Sequence, residues 1–243
     1  MSFVITVYIP TGIVMASDSR QSITIEGKTP DGKPLPRIET MSSDFVYKTF
    51  LLEKQKVGIN SYGDSLLGKI TTESHIKRFS EEMIDDKDDV TTVVDKLMEF
   101  FRRDFPKANT SFHVAGFKRK DRKSIPHVFR CHVGNKTIER PNVAPKTDNV
   151  IYGASWGGEA DIISSFLQAT PGQPKAPIIW DAMNIQDAID FAIYAVRTTI
   201  DTMRFQARPK SVGGPVDVLL ISPDEGALWI QRKQFRGELS PPK

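Results

Sequence analysis

The apolar pattern of this chain changes period in blocks, and that block order restricts its architecture more than any other feature. Phe3 to Ile9 alternates in the manner of a strand, Pro10-Thr11-Gly12 signals a turn, and Ile13 to Ala16 resumes a β-rich run, so the chain opens on a hairpin. Gln21 to Asp44, which contains Gly27, Pro30, Gly32, Pro34 and Pro36, reads as a long loop with a short strand at 23–25. Phe45 to Leu52 and Lys56 to Ser61 predict two more strands. Gly63-Asp64 then predicts the start of a helix running to about Met83. A second helix is expected from near Asp89, with Val93, Val94, Leu97, Met98, Phe101 and Phe105 at helical spacing and a stop before Pro106.

The pattern returns to strands at Ser111 to Lys118 and His127 to Val133, paired around a basic turn, and at Asn149 to Ala154. A helix is expected after Gly158. A longer one is marked by Ile185, Ala188, Ile189, Ala192, Ile193, Val196, Ile200 and Met203, with Asn184 and Asp187 suited to its first turn. Val216 to Ile221 and Ala227 to Gln231 predict a closing strand pair, and Glu238 to Lys243 reads as a disordered tail. Strands, two helices, strands, two helices, strands is not the β-α alternation of a parallel sheet. It predicts an α+β fold, a four-layer αββα sandwich formed by a single domain over residues 1–237 that the extended loop at 21–44 interrupts.

Charge singles out no partner: 33 basic residues face 30 acidic ones, and no block of like charge is long enough to predict nucleic-acid or membrane binding. The one cysteine, Cys131, excludes an internal disulfide, and the N-terminus lacks a secretory pattern, which together predict the cytoplasm. No apolar run approaches the roughly 18 residues of a membrane span, which predicts a soluble protein.

Ser2 stands at the start of the first strand and Asp18 at the end of its hairpin partner. A turn at Pro10-Thr11 sets Asp18 opposite Phe3, and one at Thr11-Gly12 sets it opposite Ile5; both leave it near Ser2, because a strand rises about 3.3 Å per residue. Lys48, within the next expected strand, can join them from a neighbouring position. A serine hydroxyl needs a base, and an α-amine titrating at about 7.7 to 8.0 supplies one in the same residue once Met1 is removed. A lysine ammonium nearby would lower that amine's pKa, a carboxylate would hold the lysine in place, and a backbone N–H near Gly63 would steady an oxyanion.

The segment Gly12-Ile13-Val14-Met15-Ala16-Ser17-Asp18-Ser19-Arg20 resembles the second-strand motif of proteasome β subunits and their bacterial relatives, members of the N-terminal-nucleophile (Ntn) hydrolase superfamily. Tyr47-Lys48-Thr49-Phe50 is similar to their catalytic-lysine strand. Lys56 to Asp64 is similar to the next strand and its glycine turn, and Val212-Gly213-Gly214-Pro215-Val216-Asp217 to the opening of their last strands. The resemblance spans essentially the whole chain. It implies a threonine-type peptidase mechanism with Ser2 as the nucleophile, Asp18 and Lys48 as the acid and the lysine, no metal or organic cofactor, a peptide or other amide substrate, and a homo-oligomeric ring. Ser155 and Ser211 fall near the family's supporting serine and aspartate, and Arg20 is expected to tie the hairpin's end to a neighbouring loop. The chain departs from the family in having serine for threonine, a longer loop at 21–44, and Tyr62 where a double glycine is common.

Two other patterns compete. Gly153-Ala154-Ser155-Trp156-Gly157 matches a nucleophile elbow, but all four histidines precede Ser155, whereas that triad needs one after it. His127, Cys131 and His132 lack a second close ligand pair, and strand alternation puts Cys131 and His132 on opposite faces. Of the enzyme's alternatives, a non-catalytic assembly or scaffold subunit of the same fold would keep Met1, and a small-amide hydrolase or acyl-transferase would use the same site.

Overall fold

The computed structural model describes residues 2–25, 27, 29–36, 38–121, 123–167 and 177–234; the tail expected at 238–243 and Met1 itself lie outside them. Two antiparallel five-stranded sheets and four α-helices make up most of the described residues, an α+β arrangement.

The first sheet centres on β1 (Phe3–Ile9) and β2 (Gly12–Ser17). It continues through β13 (Asp217–Ser222) and β14 (Gly226–Gln231) on one side and ends at β12 (Gly153–Gly158) on the other. Every residue of β1, β2 and β13 is buried, because both of their faces are covered. On one face Phe3, Ile5, Val7 and Val14 meet Ala188, Ala192 and Val196 of α4 (Ile185–Phe205), with Ile162 and Ile163 of α3 (Asp161–Leu167) beside them. On the other face Tyr8, Ile13, Met15, Leu219 and Ile221 meet Ala115 and Val128 of the second sheet. That sheet runs β11 (Thr137–Glu139), β10 (Lys123–His132), β9 (Thr110–Lys120), β6 (Val57–Gly63), β5 (Thr49–Leu52). Its outer face packs on α1 (Thr72–Glu82) and α2 (Val90–Asp104) through Ile59, Phe112, Phe79, Leu97 and Phe101. Gly58 allows the sheets to approach: a Cβ there would lie 2.4 Å from the sulfur of Met15.

The helix ends follow their side chains. Asp89 accepts from Thr91 and Thr92 N–H at the start of α2, and Asn184 and Asp187 form a reciprocal capping box on α4.

Four sequence expectations change. The first helix begins at Thr72, not at Asp64, since Gly63 has φ +97° and Gly68 and Lys69 also take positive φ, closing a small hairpin of β7 (Leu66–Leu67) and β8 (Ile70–Thr71) first. Within 45–52 only Thr49–Leu52 is strand; Val46 N–H instead donates to Ser19 C=O, so Lys48 lies just before β5. The strand expected at 149–154 is displaced to Gly153–Gly158, because Val150 bridges to Val143 while the glycines of β12 seat aromatic rings. Residues 21–44 contain a two-stranded ribbon, β3 (Gln21–Ile25) with β4 (Ile38–Ser43).

Candidate functional site

The β1–β2 hairpin turns through Pro10 and Thr11, pairing Ile9 with Gly12 and Val4 with Ser17, so Asp18 falls level with Phe3, the first of the two possible registers. Asp18 N–H donates to Phe3 C=O at 3.2 Å, and Phe3 N–H returns a bond to Asp18 Oδ1 at 3.0 Å. Ser2, one residue earlier, is buried. Its carbonyl accepts from Glu159 N–H at 2.8 Å, over Gly158, where a Cβ would lie only 1.7 Å from that oxygen. The backbone next to Ser2 is thus pinned by Asp18 and by the end of β12.

Asp18 is fully buried and its carboxylate is saturated. Oδ1 accepts from Phe3 N–H at 3.0 Å and Lys48 Nζ at 2.7 Å. Oδ2 accepts from Arg20 N–H at 3.1 Å and Gly213 N–H at 3.0 Å. Four donors occupy the roughly four lone-pair sites of a carboxylate, which makes Asp18 a rigid anchor for Lys48. The Lys48 backbone is tied in as well, its C=O accepting from Ser61 N–H at 2.8 Å. Burial pushes the Lys48 ammonium below the usual lysine range, Asp18 opposes that shift, and the cations Lys233 and Arg20 add to it. Arg20 is fastened elsewhere: its guanidinium grips Asp44 at 2.6 and 3.0 Å and donates to Lys210 C=O at 3.0 Å, lying against Gly213.

Ser2, Lys48, Arg20 and Gly63 line one cleft, together with Tyr47 and Ser61. Gly63 is required by its backbone, since a Cβ there would sit 2.0 Å from Asn109 C=O. Asp18 supports the cleft from beneath through Lys48 without lining it, and Ser155 and Ser211 lie outside it. Ser155 sits inside β12 opposite Thr6, its hydroxyl buried without a hydrogen-bond partner, and a serine in mid-strand cannot form a strand-to-helix elbow. Ser211 reaches Glu159 Oε1 at 3.4 Å and so touches the site only through the residue that holds the Ser2 carbonyl.

Metal chemistry finds no donor set among the described residues, where no group of three His, Cys, Asp or Glu side chains comes together. Burial pushes the Cys131 thiol up to about 12 and His127 down to about 4, while His132 is engaged with Asn109 and Asn135. Sequence reasoning missed Glu159, and it saw Asp217 only as part of a motif. A second buried ion pair, between Asp217 and Lys233, lies beside the site. The available signal was a lone aspartate opening the apolar run Val218 to Ile221.

No family model matches this chain, and no curated protein does. Among solved structures it is similar to the Anbu (Gly-1) mutant from Hyphomicrobium sp. strain MC1, with a TM-score of 0.58 and 16% identity over 95% of this chain and 87% of that one. It is also similar to Anbu (ancestral beta-subunit) from Yersinia bercovieri, with a TM-score of 0.53 and 16% identity over 96% and 88%. These likenesses are of fold. The membership in the Ntn-hydrolase superfamily, as a proteasome β-subunit-like protein, that the sequence motifs implied is corrected accordingly: what stands is a fold similar to that of Anbu (ancestral beta-subunit). The motifs consist largely of glycine turns and central-strand residues, which shared packing demands whatever the descent.

Proposed function

We propose that this protein hydrolyses amide bonds as a peptidase whose nucleophile is Ser2 at a free N-terminus, generated by removal of Met1, on a four-layer αββα sandwich. The observation that carries this reading is the convergence on Asp18 Oδ1 of the Phe3 N–H, one bond beyond Ser2, and the Lys48 ammonium. Ser2 and Lys48 also line the same cleft. In the reaction, the Ser2 hydroxyl passes its proton to its own α-amine as Oγ bonds to the substrate carbonyl carbon. The carbonyl π electrons become an oxyanion, met by backbone N–H near Gly63. Collapse breaks the C–N bond, and the departing amine takes the proton from the α-ammonium. Water then attacks the acyl-serine by the same proton route, releasing the acid and restoring Ser2. Lys48, held by Asp18, would keep the α-amine largely unprotonated near neutral pH by like-charge repulsion.

Self-association into a closed ring goes with this proposal, supported by the exposed apolar side chains Ile179, Tyr194 and Phe205 on and beside α4. No helix among the described residues is long and apolar enough to cross a membrane.

Intact-mass measurement establishes whether residue 1 is gone, and a panel of short fluorogenic peptides reads hydrolysis of the processed protein. Activity in wild type and its loss in Ser2→Ala is the expected result. Equal activity in Ser2→Ala would place the nucleophile elsewhere, and silence in confirmed processed protein would favour a non-catalytic assembly subunit.

A further inference from the structure

A second buried acid–lysine pair lies next to the first. Asp217 opens β13 opposite Ser17, one residue before Asp18, and is fully buried. It accepts from the backbone N–H of Lys233 at 2.8 Å on Oδ1 and from the Lys233 ammonium on Oδ2. Both lysine side chains are almost wholly buried, Lys233 at 1% exposed and Lys48 at 6%, so the outlying pair is desolvated much as the first is. Its ammonium also sits 4.1 Å from the centre of the Tyr47 ring, with the Arg232 guanidinium 5.1 Å from the same ring. Tyr47 directly precedes Lys48 and lines the cleft.

Removing two charges from water is expensive, and a buried pair is commonly replaceable by apolar residues of the same volume without loss of stability. A salt bridge of this kind is therefore poorly explained by stability alone. Its position supplies another role. Two carboxylates and two ammoniums share one end of the sheet, with the Tyr47 ring over Lys233 and its backbone joined to Lys48.

We propose that Asp217 and Lys233 position Lys48 and set how readily it carries its proton, acting through Tyr47 and across the space between the two ammoniums. The use made of Lys48 rests on the hydrolase reading above. The charged groups bearing on Lys48 are Asp18, Lys233 and Arg20; those bearing on Lys233 are Asp217, Glu73 of α1 and Asp18. Lys233 disfavours the charged form of Lys48, while Asp217 keeps Lys233 charged and fixed.

The test follows the Lys48 13Cε resonance against pH in the full-length processed protein, assigned by its loss in Lys48→Arg. Lys233→Met retains the backbone bond to Asp217, removes the cation and uncovers the anion, and should raise the Lys48 midpoint by about one pH unit. Asp217→Asn uncovers the cation and should lower it. A merely structural pair would leave the midpoint unmoved or shift it in the same direction in both deletions, and either outcome overturns the proposal. Should Lys233→Met fail to fold, Asp217→Asn decides alone, a downward shift supporting the proposal and any other result overturning it. The resonance is read whether or not the protein turns over substrate, so an inactive wild type sinks the hydrolase reading without touching this one. In an active wild type the alkaline limb of kcat/KM, where Lys48 loses its charge, should move with the midpoint.

Discussion

Lys48 Nζ and Phe3 N–H bond to the same oxygen of Asp18, at 2.7 and 3.0 Å. One atom therefore fixes both the side chain that would bias the N-terminal amine and the backbone next to Ser2, the proposed nucleophile. The other oxygen is held equally firmly, by Arg20 and Gly213 N–H.

Asp18→Asn should destabilise the fold by about 3–5 kcal/mol, because an amide offers one acceptor oxygen where four donors converge and turns its NH2 toward two of them. Urea denaturation of the processed protein measures this. A loss below about 1 kcal/mol would mean that the four bonds do not hold the site together.

Lys48→Ala should eliminate hydrolysis, and Lys48→Arg should not restore it, since a planar guanidinium does not fit a buried pocket shaped around one ammonium. Peptide assays at neutral and alkaline pH check both. Recovery in Lys48→Arg would show that charge alone suffices.

Gly157→Ala should cost about 1–3 kcal/mol, as its Cβ would lie 2.3 Å from the Tyr62 ring that crosses from the other sheet. In a Tyr62→Ala background the same change should cost little. A double-mutant cycle with no coupling would contradict this contact.

His113 governs part of the acid stability. Burial holds its ring down to about 3, with Thr6 Oγ1 3.1 Å from Nδ1, whereas the unfolded chain binds a proton near 6.5. Between those values the unfolded state carries more protons, so stability falls as pH drops through that window, by roughly 2–3 kcal/mol at pH 4.5. His127, held down to about 4, adds in the same direction. His113→Gln should flatten the slope of unfolding free energy against pH, and an unchanged slope would assign the effect elsewhere.

Much of this arrangement was legible in the sequence for identifiable reasons. The helices α2 and α4 carry their own start signals in Asp89 and Asn184, and the opening hairpin is bounded by Pro10 and Gly12, so local chemistry alone locates them. Ser2 and Asp18 can be grouped because hairpin register depends on counting residues, whereas Lys48, outside the hairpin, is placed with them only by the resemblance of Tyr47-Lys48-Thr49-Phe50 to a lysine strand. The glycines flanking Ser155 match an elbow pattern in sequence, whereas in the fold they make room for Tyr62 and Tyr8 within β12. The late start of α1 is hidden because Gly63-Asp64 reads as a helix start, while the positive φ of Gly63 reflects a close approach to Asn109, the residue before β9. Glu159, Lys233 and the Gly213 N–H enter the site only through long-range pairing, which no window of sequence reports.

The Gly213 bond to Asp18 spans 195 residues. A chain still emerging from the ribosome has made Ser2, Asp18 and Lys48 long before it makes this donor, and until then the carboxylate lacks one of its four ties. If Ser2 acts as proposed, its competence would be deferred until Gly213 has been made, which would protect the nascent chain and its neighbours from a nucleophile exposed from the first residues onward.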